Sequence, residues 1–368
     1  MLLRTFGWSF GITLIGLAAA AYFWGADGFG VVLILSVLEI SLSFDNAVIN
    51  ATILKRMTPF WQRIFLTVGV LIAVFGMRLI FPLLVVALTA HISPVSVVQL
   101  ALDSTKTQNG LTYAQHLDAA HPAIAAFGGM FLLMIFLDFI FGEKEIQWLH
   151  WIEKPLEKIG KLDQLSVVVA MIVLMLSARF FAEGGAETVL LAGVAGLTSY
   201  LLVGGLSTLF EEAGDDEESE DDEEAAAPAA ANGKNGKSAV LVAGKAAFFL
   251  FLYLEVLDAS FSFDGVVGAF AISQDIFQIT LGLGIGAMYI RSLTVYLVRQ
   301  GTLDDYVYLE HGAHYAIGAL SIILMVSIKY TIPEIVTGLI GVAFIGLALI
   351  SSLLRNKRLA AAGDVPEL

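Results

Sequence analysis

Ten stretches of this chain are apolar over lengths close to the ~20 residues that a helix needs to cross ~30 Å of hydrocarbon. They fall at residues 6–24, 29–53, 64–89, 123–142, 165–182, 187–210, 239–272, 276–299, 313–331 and 334–354. In lipid only helices and closed barrels satisfy every backbone group, and barrel strands alternate in polarity every second residue over about ten residues. These runs do not alternate, so the expected fold is all-α, a polytopic membrane helical bundle of about ten transmembrane helices. Composition agrees: 58% of the side chains are apolar and 15% charged, against roughly half and about a quarter in soluble domains. The first run, with Arg4 before it and Ala18-Ala19-Ala20 inside it, also fits a signal peptide. The repeat described below requires it as a span.

The chain has no cysteine, which removes disulfides, thiolate metal sites, iron–sulfur clusters and cysteine nucleophiles. Any metal must be held by oxygen or nitrogen. The net charge is −14, yet Glu211 to Glu224 holds eleven acidic residues and no basic one, and without them the charge would be −3. The acidity belongs to one loop, and a nucleic-acid partner, which needs a basic surface, is not expected. That loop, followed by a linker rich in Ala, Gly and Asn, is expected to be disordered over residues 211–237.

Lysine and arginine set the expected orientation, because cytoplasmic loops are enriched in both. With ten spans and a cytoplasmic N-terminus, Arg4, Lys55, Arg56, Arg63, Lys144, Lys154, Lys158, Lys161, Lys234, Lys237, Lys245, Arg299, Arg355, Lys357 and Arg358 share one side. Only Lys106, Arg179 and Lys329 fall outside. Both termini are then expected in the cytoplasm.

The two halves of the chain resemble each other. Leu38-Glu39-Ile40-Ser41-Leu42-Ser43-Phe44-Asp45-Asn46-Ala47-Val48 aligns without gaps on Leu257-Asp258-Ala259-Ser260-Phe261-Ser262-Phe263-Asp264-Gly265-Val266-Val267. After a small difference in loop length Arg78 matches Arg291 in the next run, and His121 and Gly128 match His311 and Gly318 before the one after that. Extended outward, spans 1 to 5 correspond to spans 6 to 10. Five is odd, so the second copy enters the membrane inverted, an architecture of secondary transporters whose sites lie at the midplane between repeats. The expected units are residues 1–186 for the first repeat, 187–210 with 238–358 for the second, the loop at 211–237 and a tail at 359–368.

Glu39, Asp45, Asp258 and Asp264 sit inside these apolar runs, where a charge costs at least ~2.5 kcal/mol. Acids six residues apart are turned by about 120° on a straight helix. A shared site therefore requires an interruption near Asp264, which Gly265 and Gly268 follow, and by symmetry near Asp45. Four clustered carboxylates would form a hard-oxygen site for Mn²⁺, Mg²⁺ or Ca²⁺, with Ser41, Asn46 and Ser260 as supporting ligands. The same acids could exchange protons for metal, since close like charges raise one another's pKa. Arg78 and Arg291 are the expected charge-balancing partners. The bland alternative is that the acids only neutralise these arginines.

At these residues the sequence resembles the TerC family of bacterial integral membrane proteins, within the LysE-type transporter superfamily. The stretch from Glu39 to Asn46 is similar to its glutamate…Leu-Ser-x-Asp-Asn signature, and that from Asp258 to Asp264 to its aspartate…Phe-x-x-Asp-Ser signature. Tyr308-Leu309-Glu310-His311-Gly312, with Lys329 further on, is similar to a third. Gly265 stands where the family has Ser, and the long acidic loop is a departure. The resemblance implies a metal-ion exporter, Mn²⁺ above other ions, with tellurite resistance in some members.

Other signals are weaker. His116 and His121 are expected outside, and His311 and His314 inside, so they cannot share a site. Asp138 and Lys329 lie at span ends, and Glu183 and Glu187 in a short external turn. Glu143 to Lys161, with Trp148, Trp151 and Ile152 among charges, reads as an amphipathic helix on the inner leaflet. No GxxxxGK[ST] loop is present, so no ATP-driven step is expected. The chain is expected to be no enzyme and to carry no prosthetic group, with a divalent cation as its cargo and the lipid bilayer as its surroundings. A cationic organic solute as cargo, or a scaffold acting through the acidic loop, are the alternatives.

Overall fold

The computed structural model describes residues 2–144, 146–221, 241–273, 275–299 and 306–362. Among them the architecture is all-helical and without strands, with two isolated bridges, Met57 with Val242 and Gln108 with Leu111. α1 spans Leu2–Leu42 and α2 Phe44–Leu54. α3 (Pro59–Leu71), a π-helical segment (Ile72–Ile80) and α4 (Phe81–Thr89) follow as one rod. Then come α5 (Pro94–Ala101), α6 (Tyr113–Phe141), α7 (His150–Ile159), α8 (Leu165–Phe180) and α9 (Ala186–Asp221). The second half supplies α10 (Gly244–Ile272), α11 (Ile276–Arg299), α12 (Leu309–Ser327) and α13 (Glu334–Ala362).

Among the described residues seven helices are long and apolar enough to cross a membrane: Phe6–Ile40, Pro59–Thr89, Tyr113–Phe141, Ala186–Leu206, Ile276–Arg299, Leu309–Ser327 and Val336–Leu359. The ten expected runs are therefore divided differently. The first two share α1, which kinks at Gly25 (φ 71°, ψ −160°), a conformation open to glycine because it has no Cβ. The second run ends instead in the separate α2. The fifth run is the 16-residue α8, short of a full crossing at 1.5 Å per residue. The acidic stretch expected as loop from residue 211 is helical to Asp221, because Glu is a good helix former and adding residues to an existing helix needs no new nucleus. The rest of it, 222–237, lies outside the described residues.

The distribution of polarity is that of a molecule in lipid. Leu14, Ile15, Phe23, Leu88, Leu191 and Leu339 project outward, while Glu39, Asn46, Arg78, Glu255, Asp258 and Arg291 are buried. α6 is central, packed on α8, α9, α10 and α12, and its start is fixed by a capping box of Thr112 and Gln115. α1 runs along α11. That approach is close because Gly282 and Gly286 offer no side chain: a Cβ on them would stand 2.6 Å from Leu35 Cβ and 2.4 Å from Glu39 Cβ.

Candidate functional site

The bundle interior holds a charged centre made by α1, α2, the π segment, α10 and α11. Glu39, near the end of α1, receives the Arg78 Nη2 donor and, at 3.1 Å, the Ser43 hydroxyl on the same oxygen, Oε1. Arg78 sits in the π segment and sends Nη1 to the Ala73 carbonyl at 2.6 Å, five residues back. π segments inside helices are rare and gather at functional places. Here the arginine it carries bonds back onto a carbonyl of the same segment.

α10 and α11 build the second pair. Arg291 forms a fork with Glu255, Nη1 to Oε1 at 3.0 Å and Nη2 to Oε2 at 3.1 Å, and reaches Asp258 Oδ2 at 3.4 Å. Its guanidinium also lies 4.1 Å over the Phe65 ring. Glu255 and Asp258 are three residues apart, so one helical face carries both to the arginine. Such planar two-point pairing is what guanidinium geometry favours. The π segment that carries Arg78 packs on both α10 and α11, which brings the two pairs into one centre.

The halves meet through Asn46, whose Nδ2 donates to Asp258 Oδ1 at 2.8 Å. On the other side, a Cβ on Gly265 would lie 3.3 Å from Glu39 Oε2. Beside Glu39 and Gly265 is a cavity of about 10 Å³, walled by Leu35, Leu38, Ala269, Ile272 and Leu283. It has room for about one water.

Of the residues proposed as ligands, the structure therefore places Glu39, Asp258 and Asn46 in this centre with Arg78 and Arg291. The side chains of Asp45, Asp264 and Ser41 lie outside the described set. Ser260 turns away, bonding the Val256 carbonyl at 2.9 Å and facing Gly128 of α6. Among the described residues no three His, Asp or Glu side chains gather to hold a metal. The helix interruption expected near both acids exists in one half only: Ser43 (φ −100°, ψ 16°) separates α1 from α2, whereas α10 stays helical past Asp264 to Ile272. Helical backbone hydrogen bonding tolerates the following glycines when neighbouring helices cover them, so Gly265 and Gly268 need not break it. Glu255 was not among the expected site residues, although its spacing from Asp258 marks it.

A second polar cluster lies at the chain segment before α7. Glu153 is fully buried and accepts from the Trp148 and Leu149 backbone N–H groups at 3.1 and 3.2 Å and from the Tyr315 hydroxyl at 3.2 Å. His311 Nε2 contacts the Ile146 carbonyl at 2.8 Å and lies 3.6 Å from Glu153. His314 stacks on Phe139, with ring centroids 3.9 Å apart. Lys144 caps the end of α6, donating to the carbonyls of Ile140 and Gly142, and its burial holds the amine below the ordinary lysine range against the pull of Glu153 and Glu157. α7 thus reads as the expected amphipathic helix with Trp151 exposed, but one of its acids is an anchor rather than a solvated charge. His116 bonds the Gln108 carbonyl, Asp138 receives the Tyr200 hydroxyl, and Lys329 pairs with Glu183 at 3.0 Å.

No curated protein and no solved structure matches the chain. A family model does match, from Phe44, the first residue after the helix interruption, so that Arg78, Glu255, Asp258 and Arg291 fall within it and Glu39 just before it. Covering residues 44–359, it shows that the chain belongs to the family of proteins of unknown function DUF475.

Proposed function

We propose that this multi-pass membrane protein is a transporter that exports a divalent cation, Mn²⁺ above others, through its central carboxylate site. The observation that carries the reading is charge imbalance. At the centre three buried carboxylates, Glu39, Glu255 and Asp258, face two guanidiniums, Arg78 and Arg291. The repeated motif carries two more acids, Asp45 and Asp264, whose side chains lie outside the described set. Uncompensated charge inside a membrane protein marks an ion or proton pathway, and hard oxygen donors suit Mn²⁺, Mg²⁺ and Ca²⁺. The small cavity beside Glu39 favours an ion over an organic solute.

The inverted repeat supports the same reading. The alignment that places Glu39 on Asp258 also places Asn46 on Gly265, and the contact between Glu39 and Gly265 is then the counterpart of that between Asp258 and Asn46. The ion pair of Glu39 with Arg78 is likewise the counterpart of that between Asp258 and Arg291. Two inverted five-span units, an inner-membrane location with both termini cytoplasmic, and coupling to protons complete the proposal, as does the TerC-like pattern of acids. The protein acts without a prosthetic group and catalyses no covalent step.

The test is Mn²⁺ accumulation in cells expressing the intact chain, Asp45→Asn or Asp264→Asn. The intact chain is expected to lower intracellular Mn²⁺ and each variant to abolish the effect. Equal Mn²⁺ in all three removes the reading.

A further inference from the structure

The halves differ at one buried position next to the motif. Val37-Leu38 aligns on Val256-Leu257, so Glu255 stands where the first half has Ser36. The seat is the same in both. Ser36 donates to the Gly282 carbonyl at 3.0 Å, and Glu255 faces Gly69, whose Cβ would lie 2.9 Å from Glu255 Oε1. Gly69 and Gly282 correspond, each two residues after a threonine, Thr67 and Thr280. A neutral hydroxyl in one half is a carboxylate in the other.

That change determines what the arginines do. Arg78 has one carboxylate, Glu39, and spends its other Nη on a backbone carbonyl. Arg291 has two, and its paired contacts go to Glu255 at 3.0 and 3.1 Å, while Asp258 receives a single contact at 3.4 Å. The Phe65 ring lies 4.1 Å from the guanidinium, and Nη1 also reaches the Phe65 carbonyl at 3.4 Å. Asp258 is thereby only loosely held by Arg291 and turns its other oxygen to Asn46 across the interface between halves.

We infer that Glu255 is a positioning residue for the central site: by occupying the Arg291 fork it limits Asp258 to a single long contact with that guanidinium and leaves its carboxylate to bind a divalent cation. This rests on the transporter reading. Without Glu255 the guanidinium has one carboxylate left, and the two-point pair that arginine favours forms with Asp258 instead. The cation then has to displace a guanidinium to reach its ligand.

The test is Mn²⁺ binding to the purified full chain in detergent, followed by the loss of the free-ion electron paramagnetic resonance signal, with gel filtration and thermal unfolding on every sample. Glu255→Gln is expected to weaken Mn²⁺ at least tenfold while eluting as the parent does. Adding Arg291→Gln to it is expected to restore binding to within threefold of the parent, because no guanidinium remains to capture Asp258. Lost packing alone cannot be rescued by removing a second group. Glu255→Gln binding like the parent, or a folded double variant binding no better than the single one, overturns the inference. Should Glu255→Gln not fold, Glu255→Asp takes its place: its shorter arm loosens the fork, and unchanged Mn²⁺ affinity overturns the inference equally. A parent protein that binds no Mn²⁺ sinks the transporter reading itself, an outcome distinct from a variant that matches a binding parent.

Discussion

Asn46 and Asp258 join residues more than two hundred positions apart, with 2.8 Å between the amide Nδ2 and Oδ1, and both side chains are buried. The bond ties α2, which begins at the helix interruption, to the uninterrupted α10. Removing the donor leaves a buried carboxylate oxygen short of a partner, at a cost of about 1–3 kcal/mol. Asn46→Ala should therefore lower the unfolding midpoint in detergent, and Asn46→Asp should lower it further by placing a second carboxylate there. Added Mn²⁺ is expected to recover part of the loss in Asn46→Asp alone, read as a shift in midpoint against metal concentration.

Arg78 is the sole described counter-charge of Glu39, and both are almost wholly buried. Taking one partner from a buried pair strands the other, typically costing about 3–5 kcal/mol. Arg78→Gln is expected to be among the most destabilising single changes, and Glu39→Gln on the same background to regain much of it. A double-mutant cycle of unfolding measurements gives the coupling, and additive losses would argue against the pairing.

The close seat of α1 on α11 is testable at a single methyl group. Gly286→Ala drives a Cβ to within 2.4 Å of Glu39 Cβ and 3.1 Å of the Ser36 carbonyl, an overpacking that costs about 1–3 kcal/mol. Gly30→Ala, on α1 with nothing within 4 Å of the new methyl, should be neutral or stabilising by about 0.5–1 kcal/mol through backbone entropy. Comparable losses in the two variants would contradict the packing described.

Glu153→Ala removes the acceptor of two backbone N–H groups and of Tyr315. Hydrogen–deuterium exchange should quicken at the Trp148 and Leu149 amides and through α7, while α6 and α12 keep their protection. Unchanged exchange at those two amides would show that the carboxylate does not anchor the helix.

Lys144 has its amine pushed below the ordinary lysine value of 10.5 by burial. Its folded form binds fewer protons than the unfolded form between the two pKa values, so its contribution to stability improves as pH rises through that window and is unfavourable below it. The acylation midpoint of Lys144, followed by mass spectrometry over a pH series, is expected below the ordinary lysine value. Glu157→Gln removes an opposing charge and should lower it further.

The bundle, the burial of Glu39 and Asp258, and the presence of Arg78 and Arg291 beside them are legible in the sequence, because a charge in an apolar run has few affordable fates. The π segment is not, since Ile72–Ile80 carries no residue pattern that separates an i→i+5 from an i→i+4 ladder. Glu255 escaped because it lies just outside the repeated motif, even though a spacing of three from Asp258 puts both on one face. Glu153 escaped for another reason: hydropathy assigns a glutamate on an amphipathic helix to water, and its burial depends on Tyr315 and backbone donors that are remote or carry no side-chain signature. The missing break in α10 shows the limit of internal symmetry, which predicts like backbone from like sequence while the neighbours differ.

On the transporter reading, the narrowness of the cavity beside Glu39 and Gly265 bears on which ion could pass. A space with room for about one water could take an ion only after it had shed most of its shell. Mg²⁺ surrenders its waters reluctantly and demands near-ideal octahedral geometry. Such a slot would sort ions of equal charge by the ease of dehydration, and would turn away the most abundant divalent ion of the cytoplasm without any ligand chosen against it.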